Sequence, residues 1–80
     1  MTKQQIIQTI NSFFVKKLDF NPSQIHPDAE LRRDLGISSV DAVAIASFAQ
    51  KTFGCPIILP EIKAIITMED LYEYIEQHQG

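Results

Sequence analysis

The stretch Asp34–Val43, DLGISSVDAV, sets two adjacent serines between a glycine-marked turn and an apolar run. Its reading fixes where a helix begins. Ser38 suits a helix cap, and Asp41, three residues on, supplies the acidic half of a capping box, with aspartate in place of the preferred glutamate. The spacing therefore predicts a helix from about Ser39 to Phe53, stopped by Gly54 and Pro56. Ser39 falls in its first turn, beside unpaired backbone N–H groups and the positive end of the helix dipole.

Upstream, Ile6, Ile7, Ile10, Phe13, Phe14 and Leu18 recur at three- and four-residue spacing, one apolar stripe of a helix from about Thr2 to Leu18. The segment DFNPSQIHPDAELRRDLG then carries two prolines and a glycine and reads as a long loop, with a helical turn around Ala29–Arg33. Loops of that length in compact domains are uncommon and often functional. Phe20, Ile25 and Leu31 are its expected anchors into the core. Downstream, a short third helix is expected after Pro60, which suits a first helical position. A fourth opens at Thr67 with Asp70 three residues on, again box-like. Leu71, Tyr74 and Ile75 lie on one of its sides, with Glu69, Glu73 and Glu76 mostly on the other. No segment of adequate length alternates as a strand. The expectation is an all-α four-helix bundle, a single domain over residues 1–80, with a long loop between helices 1 and 2 and a short helix 3.

Eighty residues leave room for one small core. The single cysteine, Cys55, excludes an internal disulfide and supplies no metal set, which suits a reducing compartment. The N-terminal stretch lacks the continuous apolar run of a secretion signal. The longest apolar run, AVAIA at residues 42–46, is far short of the roughly 20 residues needed to cross a bilayer. A cytoplasmic, soluble protein without a membrane span is expected. Seven basic against ten acidic residues, net −3, argue against nucleic-acid binding, which depends on neutralising phosphates. Arg32–Arg33, flanked by Glu30 and Asp34, reads as a solvated loop.

The second helix has two apolar faces. Ala42, Ile45, Ala46, Ala49 and Phe53 form one, assigned to the core for its bulky members. Val40, Val43, Ala44, Ser47 and Lys51 form the other, although one side of a helix in so small a bundle must meet water. Two readings stay open: Val40 and Val43 pack beneath the long loop, or they form a docking surface beside Ser39.

DLGISSVDAV, the apolar helix after it, FGCPI, and later ITMEDLYEYI together resemble the acyl carrier protein family over nearly the whole chain. That family has a D-L-G-x-D-S-L motif between a long first loop and its second helix. Asp34, Leu35 and Gly36 match directly, Ser39 matches the modified serine, and Val40 replaces leucine. The resemblance implies a four-helix bundle that is not an enzyme. It would carry 4′-phosphopantetheine on Ser39, installed from coenzyme A by a phosphopantetheinyl transferase. The arm's thiol would then present acyl or aminoacyl groups as thioesters to loading and transferring enzymes. A phosphodiester at Ser39 would find a favourable site at the helix N-terminus, and Ser38 remains the cap. The expected docking residues are Asp34, Val40, Asp41, Val43, Ala44 and Ser47, on a monomeric protein.

The chain also departs from the family. Ser38 stands where aspartate commonly precedes the modified serine, removing one carboxylate from the motif. Between Ala42 and Pro60 there is no acidic residue, and Lys51 is the only charge. Partners with apolar or weakly charged docking surfaces are therefore expected, bound with little sensitivity to salt. The same departures favour a specialised lipid, polyketide-like or aminoacyl pathway over housekeeping fatty-acid synthesis. The alternative is a carrier-like module that is never modified and serves protein interaction.

Other constellations are weaker. GISSV approaches a G-x-S-x-G nucleophile elbow, but Val40 stands at the second glycine and no strand precedes it. His26 and His78 with Cys55 could suggest a Cys–His site, whereas a buried or partly buried structural thiol fits Cys55 better. A helix-turn-helix DNA binder would want a basic recognition helix, and helix 2 offers only Lys51. Phe48, Phe53, Ile62, Ile65 and Tyr74 could line a cargo cavity, but ordinary core or partial surface is the favoured reading.

Overall fold

A computed structural model describes the backbone of residues 1–80 and all side chains except that of Leu59. Its helices are α1 (Lys3–Lys16), α2 (Ser39–Phe53), α3 (Leu59–Ala64) and α4 (Met68–His78). The described residues contain no named strand, so the architecture is the expected all-α bundle.

Helix α2 has the expected bounds because both its ends are written locally. Ser38 caps the start, and Gly54, at φ 64°, takes the left-handed conformation that lets its N–H return to the Ala49 and Gln50 carbonyls. Helix α1 is shorter than its apolar stripe. Thr2 is its cap, boxed with Gln5, and the chain turns away after Lys17 through Asp19 at φ 64°. Leu18 still packs against the core from outside the helix. In α3, Pro60 occupies the second helical position rather than the first.

Alternate faces of α1, α2 and α4 meet in one core. Ile6, Ile10 and Phe14 come from α1, Ile45, Ala49 and Phe53 from α2, and Met68, Leu71, Tyr72 and Ile75 from α4. The α4 stripe corrects one expectation. Tyr72, not Tyr74, is the buried tyrosine, at 1% exposure, because the stripe is counted from Met68 at positions 68, 71, 72 and 75. Tyr72 donates its hydroxyl hydrogen to the Asn11 side-chain oxygen on α1. Half-buried Tyr74 instead stacks on His78, with ring centroids 4.2 Å apart.

The long loop is an ordered strap. A 3-10 turn at Pro22–Gln24, not expected from the sequence, is boxed by Asn21 and Gln24. Farther on, Leu31 N–H donates to the Ile66 carbonyl at 2.8 Å, and Met68 N–H donates to the Ala29 carbonyl at 3.0 Å. An isolated antiparallel bridge pairs Glu30 with Thr67 between these bonds. Leu31, Ala29 and Leu35 are buried, and Phe20 and Ile25 pack partly buried against the core, so the expected anchors hold. The strap thus delivers the Asp34–Ser39 stretch to the start of α2 from a fixed position on α4.

Candidate functional site

The site grows from the end of the strap. Asp34 N–H donates to the Glu30 carbonyl at 2.9 Å, and Glu30 N–H donates to Asp34 Oδ2 at 2.9 Å. That backbone hydrogen bond, with Arg33 beside it, holds the Asp34 carboxyl below its usual range. Leu35 N–H also reaches the Glu30 carbonyl, and Gly36, at φ 65°, completes the turn where a side chain would be strained. Buried Leu35 anchors it. Each member of the Asp-Leu-Gly motif therefore has a structural task in aiming the chain at α2.

The two serines then divide. Ser38 Oγ accepts the Asp41 N–H at 3.2 Å, and Asp41 Oδ2 accepts the Ser38 N–H at 3.2 Å. This reciprocal box engages Ser38 and Asp41 with each other. Ser39, the first helical residue, is exposed. Among the described residues its hydroxyl has no hydrogen-bond partner, and the backbone N–H groups of Ser39 and Val40 have no acceptor. An exposed hydroxyl next to unpaired N–H groups at a helix N-terminus fits a covalently attached phosphate ester.

The exposed side of α2 resolves the two readings of its second face. Val40 is 79% exposed and Val43 is 56% exposed, so neither is covered by the loop. Ala44 is half-buried, Ser47 is exposed, and Asp41 is half-buried by its part in the cap. Val40, Val43, Ala44 and Ser47 lie along α2 from Ser39, whereas Asp34 sits back in the turn.

The same side of α2 runs into an open groove against α1, with a volume of about 790 Å³. Phe13 and Leu18 from the α1 side meet Ala44, Ser47, Phe48 and Lys51 from α2. Phe13 and Phe48 stack with centroids 4.1 Å apart at 21°. This groove was not legible in the sequence, where Phe13 belongs to a core stripe and Phe48 is one aromatic among several. Nor do the five candidates for a cargo cavity share one. Phe53 and Ile62 are buried core, Phe48 lines the groove, and Ile65 and Tyr74 border a smaller depression near Glu61 and Asp70.

Cys55 is fully buried, and burial pushes its thiol pKa up, which makes it a packing residue rather than a nucleophile. His26 is exposed, and His78 lies against Tyr74. Among the described residues no group of three or more His, Cys, Asp or Glu side chains is placed to hold a metal, and no helix is long and apolar enough to cross a membrane.

Comparison with known proteins agrees with this geometry. A family model described as a phosphopantetheine attachment site matches residues 8–75. The acyl carrier protein of Rubrobacter xylanophilus is 30% identical over 79 residues, covering 99% of this chain and 98% of the relative. That of Cyanidioschyzon merolae is 33% identical over 79 residues, covering 99% of this chain and 87% of the relative. Among solved structures, the apo doublet acyl carrier protein from prodigiosin biosynthesis superposes with a TM-score of 0.77 at 25% identity. The match covers 95% of this chain and spans 37% of the doublet.

Proposed function

The chain belongs to the acyl carrier protein family, and from that premise we propose that Ser39 is the residue bearing its prosthetic group. The protein is a carrier and not a catalyst. Its cofactor is covalently attached 4′-phosphopantetheine, and its partners are a phosphopantetheinyl transferase and acyl-handling enzymes.

One observation supports Ser39 above all: its hydroxyl is exposed and unengaged, while the neighbouring Ser38 hydroxyl is occupied by the cap. During modification the Ser39 Oγ would form the new bond to the pantetheine-side phosphorus of coenzyme A as the pyrophosphate P–O bond breaks and adenosine 3′,5′-bisphosphate leaves, and the serine proton would pass to a base on the transferase. A phosphodiester on Ser39 would have the unpaired N–H groups of the helix N-terminus beside it. When attached, the arm supplies a terminal thiol that holds cargo as a thioester.

The docking face in this reading is the first half of α2, Val40, Val43, Ala44 and Ser47, with Asp41 at the cap and Asp34 in the preceding turn. Its members are apolar or uncharged apart from the two aspartates, each engaged in a local hydrogen bond, so partners that contact only this patch bind with weak salt dependence. The absence of acidic residues between Ala42 and Pro60 supports a dedicated lipid, polyketide-like or aminoacyl pathway. We further read residues 1–80 as one carrier domain, monomeric, and working in a reducing cytoplasmic setting that suits its lone thiol.

The test is intact mass after incubation with coenzyme A and a broad-specificity phosphopantetheinyl transferase, with Ser39→Ala alongside. A gain of one phosphopantetheine in the wild type alone is the expected result. A folded sample that gains nothing with several transferases would instead make this an unmodified interaction module. The replacement of the motif aspartate by Ser38 is the feature that favours that second reading.

A further inference from the structure

The groove between α1 and α2 has a charge that the carrier role does not account for. Its floor is aromatic, built on the stacked Phe13–Phe48 pair, and Lys16, Lys17 and Lys51 stand at its edge. Among the described residues no acidic one lines it. All three lysines are exposed, and among the described residues none has a carboxylate within ion-pairing distance; Lys3 and Arg33 are the basic side chains with acidic partners. A positive cluster thus rims an apolar trough on a chain whose net charge is −3. The charge is assembled by tertiary structure, because two of the lysines end α1 and the third lies near the end of α2.

We propose that this groove docks an acidic amphipathic helix of an acyl-handling partner protein, seating apolar side chains on Phe13 and Phe48 and carboxylates on the three lysines. Charge complementarity selects this occupant. A simple alkyl acyl chain carries no charge once thioesterified and offers nothing to three ammonium groups, and an aminoacyl group, itself cationic, is repelled by them, whereas flanking carboxylates match them. Position supports the choice as well. Ala44 and Ser47 lie five and eight residues beyond Ser39, about 8 and 12 Å along the helix axis. A helix seated in the groove is therefore continuous with the patch beside the attachment serine, close enough to bring a partner's active site to the arm. A groove of this kind is a familiar receptor for an amphipathic helix. The proposal rests on the carrier reading only for the identity of the partner as an acyl-handling protein.

The test uses isotope-labelled full-length protein and two synthetic probes. One is an amphipathic helical peptide with leucines at three- and four-residue spacing flanked by glutamates, and the other replaces each glutamate with lysine. Amide chemical shifts are followed in unmodified Ser39→Ala protein and in protein carrying the arm, so that failure of modification and failure of docking read separately. The glutamate peptide should shift Phe13, Ser47, Phe48 and Lys51, and raising the salt should weaken it. Affinity should fall by about tenfold or more in the Lys16→Glu, Lys17→Glu, Lys51→Glu variant. These lysines are exposed, and a thermal melt verifies that the variant folds; Lys51→Gln alone gives a milder version of the same loss.

Equal binding of the lysine peptide, or no binding of either, overturns the proposal. So do shifts at these residues on raising protein concentration alone, which would make a second copy the occupant. Shifts there on loading the arm with an acyl chain, without response to the glutamate peptide, would assign the groove to cargo and overturn it equally.

Discussion

Asp34 and Glu30 hold each other twice: the Asp34 N–H donates to the Glu30 carbonyl, and the Glu30 N–H donates to Asp34 Oδ2, each at 2.9 Å. The motif aspartate is thereby committed to shaping the turn that carries the chain to α2. Asp34→Ala should lower the melting temperature, while Asp34→Asn, which keeps an acceptor for the Glu30 N–H, should lower it less. The Asp34 carboxyl is depressed below its ordinary value of 3.8 in the folded protein. Its stabilisation is therefore present above that value and is lost as pH falls through the lower folded one. Melts of wild type and Asp34→Asn at descending pH should converge. A constant gap down to the acid limit would show that the charge contributes nothing.

Tyr72 makes the corresponding case at alkaline pH. Burial pushes its hydroxyl from an ordinary value of 10.0 up to about 12, with the Asn11 bond opposing the rise. A raised pKa stabilises the fold fully below the unfolded value, and that contribution fades as pH climbs through the folded one. Wild type should lose stability between pH 10 and about 12 in a component that Tyr72→Phe lacks. At neutral pH, Tyr72→Phe should cost about 1 kcal/mol for the lost hydrogen bond. Denaturant melts across that range measure both effects.

The division between the two serines is separable by mutation. Ser38→Ala removes the α2 cap and should cost about 1 kcal/mol, a fall of ~4–8 °C in melting temperature for a domain of this size. Ser39 should nevertheless still accept the arm. Ser38→Asp retains a capping oxygen and should stay within about 0.5 kcal/mol of wild type. If intact mass instead tracked Ser38, with Ser39→Ala still modified, the assignment would pass to the cap residue.

Val40 and Val43 should behave as contact residues without a part in stability. Both are more than half exposed, at 79% and 56%, so Val40→Ser and Val43→Ser should leave the melting temperature nearly unchanged. If the transferase buries either side chain, its kcat/KM should fall by up to about tenfold per valine. Unchanged kinetics in the double variant would remove this patch from the docking surface.

The helix ends and the place of the two serines on α2 were legible in the linear chain. Capping boxes, a helix-ending glycine and apolar spacing are local signals, and they placed α2 from Ser39 to Phe53 and Ser38 at its cap. They do not report which side of a helix another element will cover. Packing alone left Val40 and Val43 in solvent while the strap, pinned through Ala29 to Met68 of α4 and through Leu31 to Ile66 just before it, covers other ground. Packing also chose Tyr72 over Tyr74, since Asn11 on α1 gives the buried hydroxyl its partner. The basic groove is the clearest case. Lys16 and Lys17 are 34 or more residues from Lys51 in the chain and converge only because α1 lies against α2 through Phe13 and Phe48. Charge at a surface is a sum over neighbours in space, and a linear reading sums over neighbours in the chain.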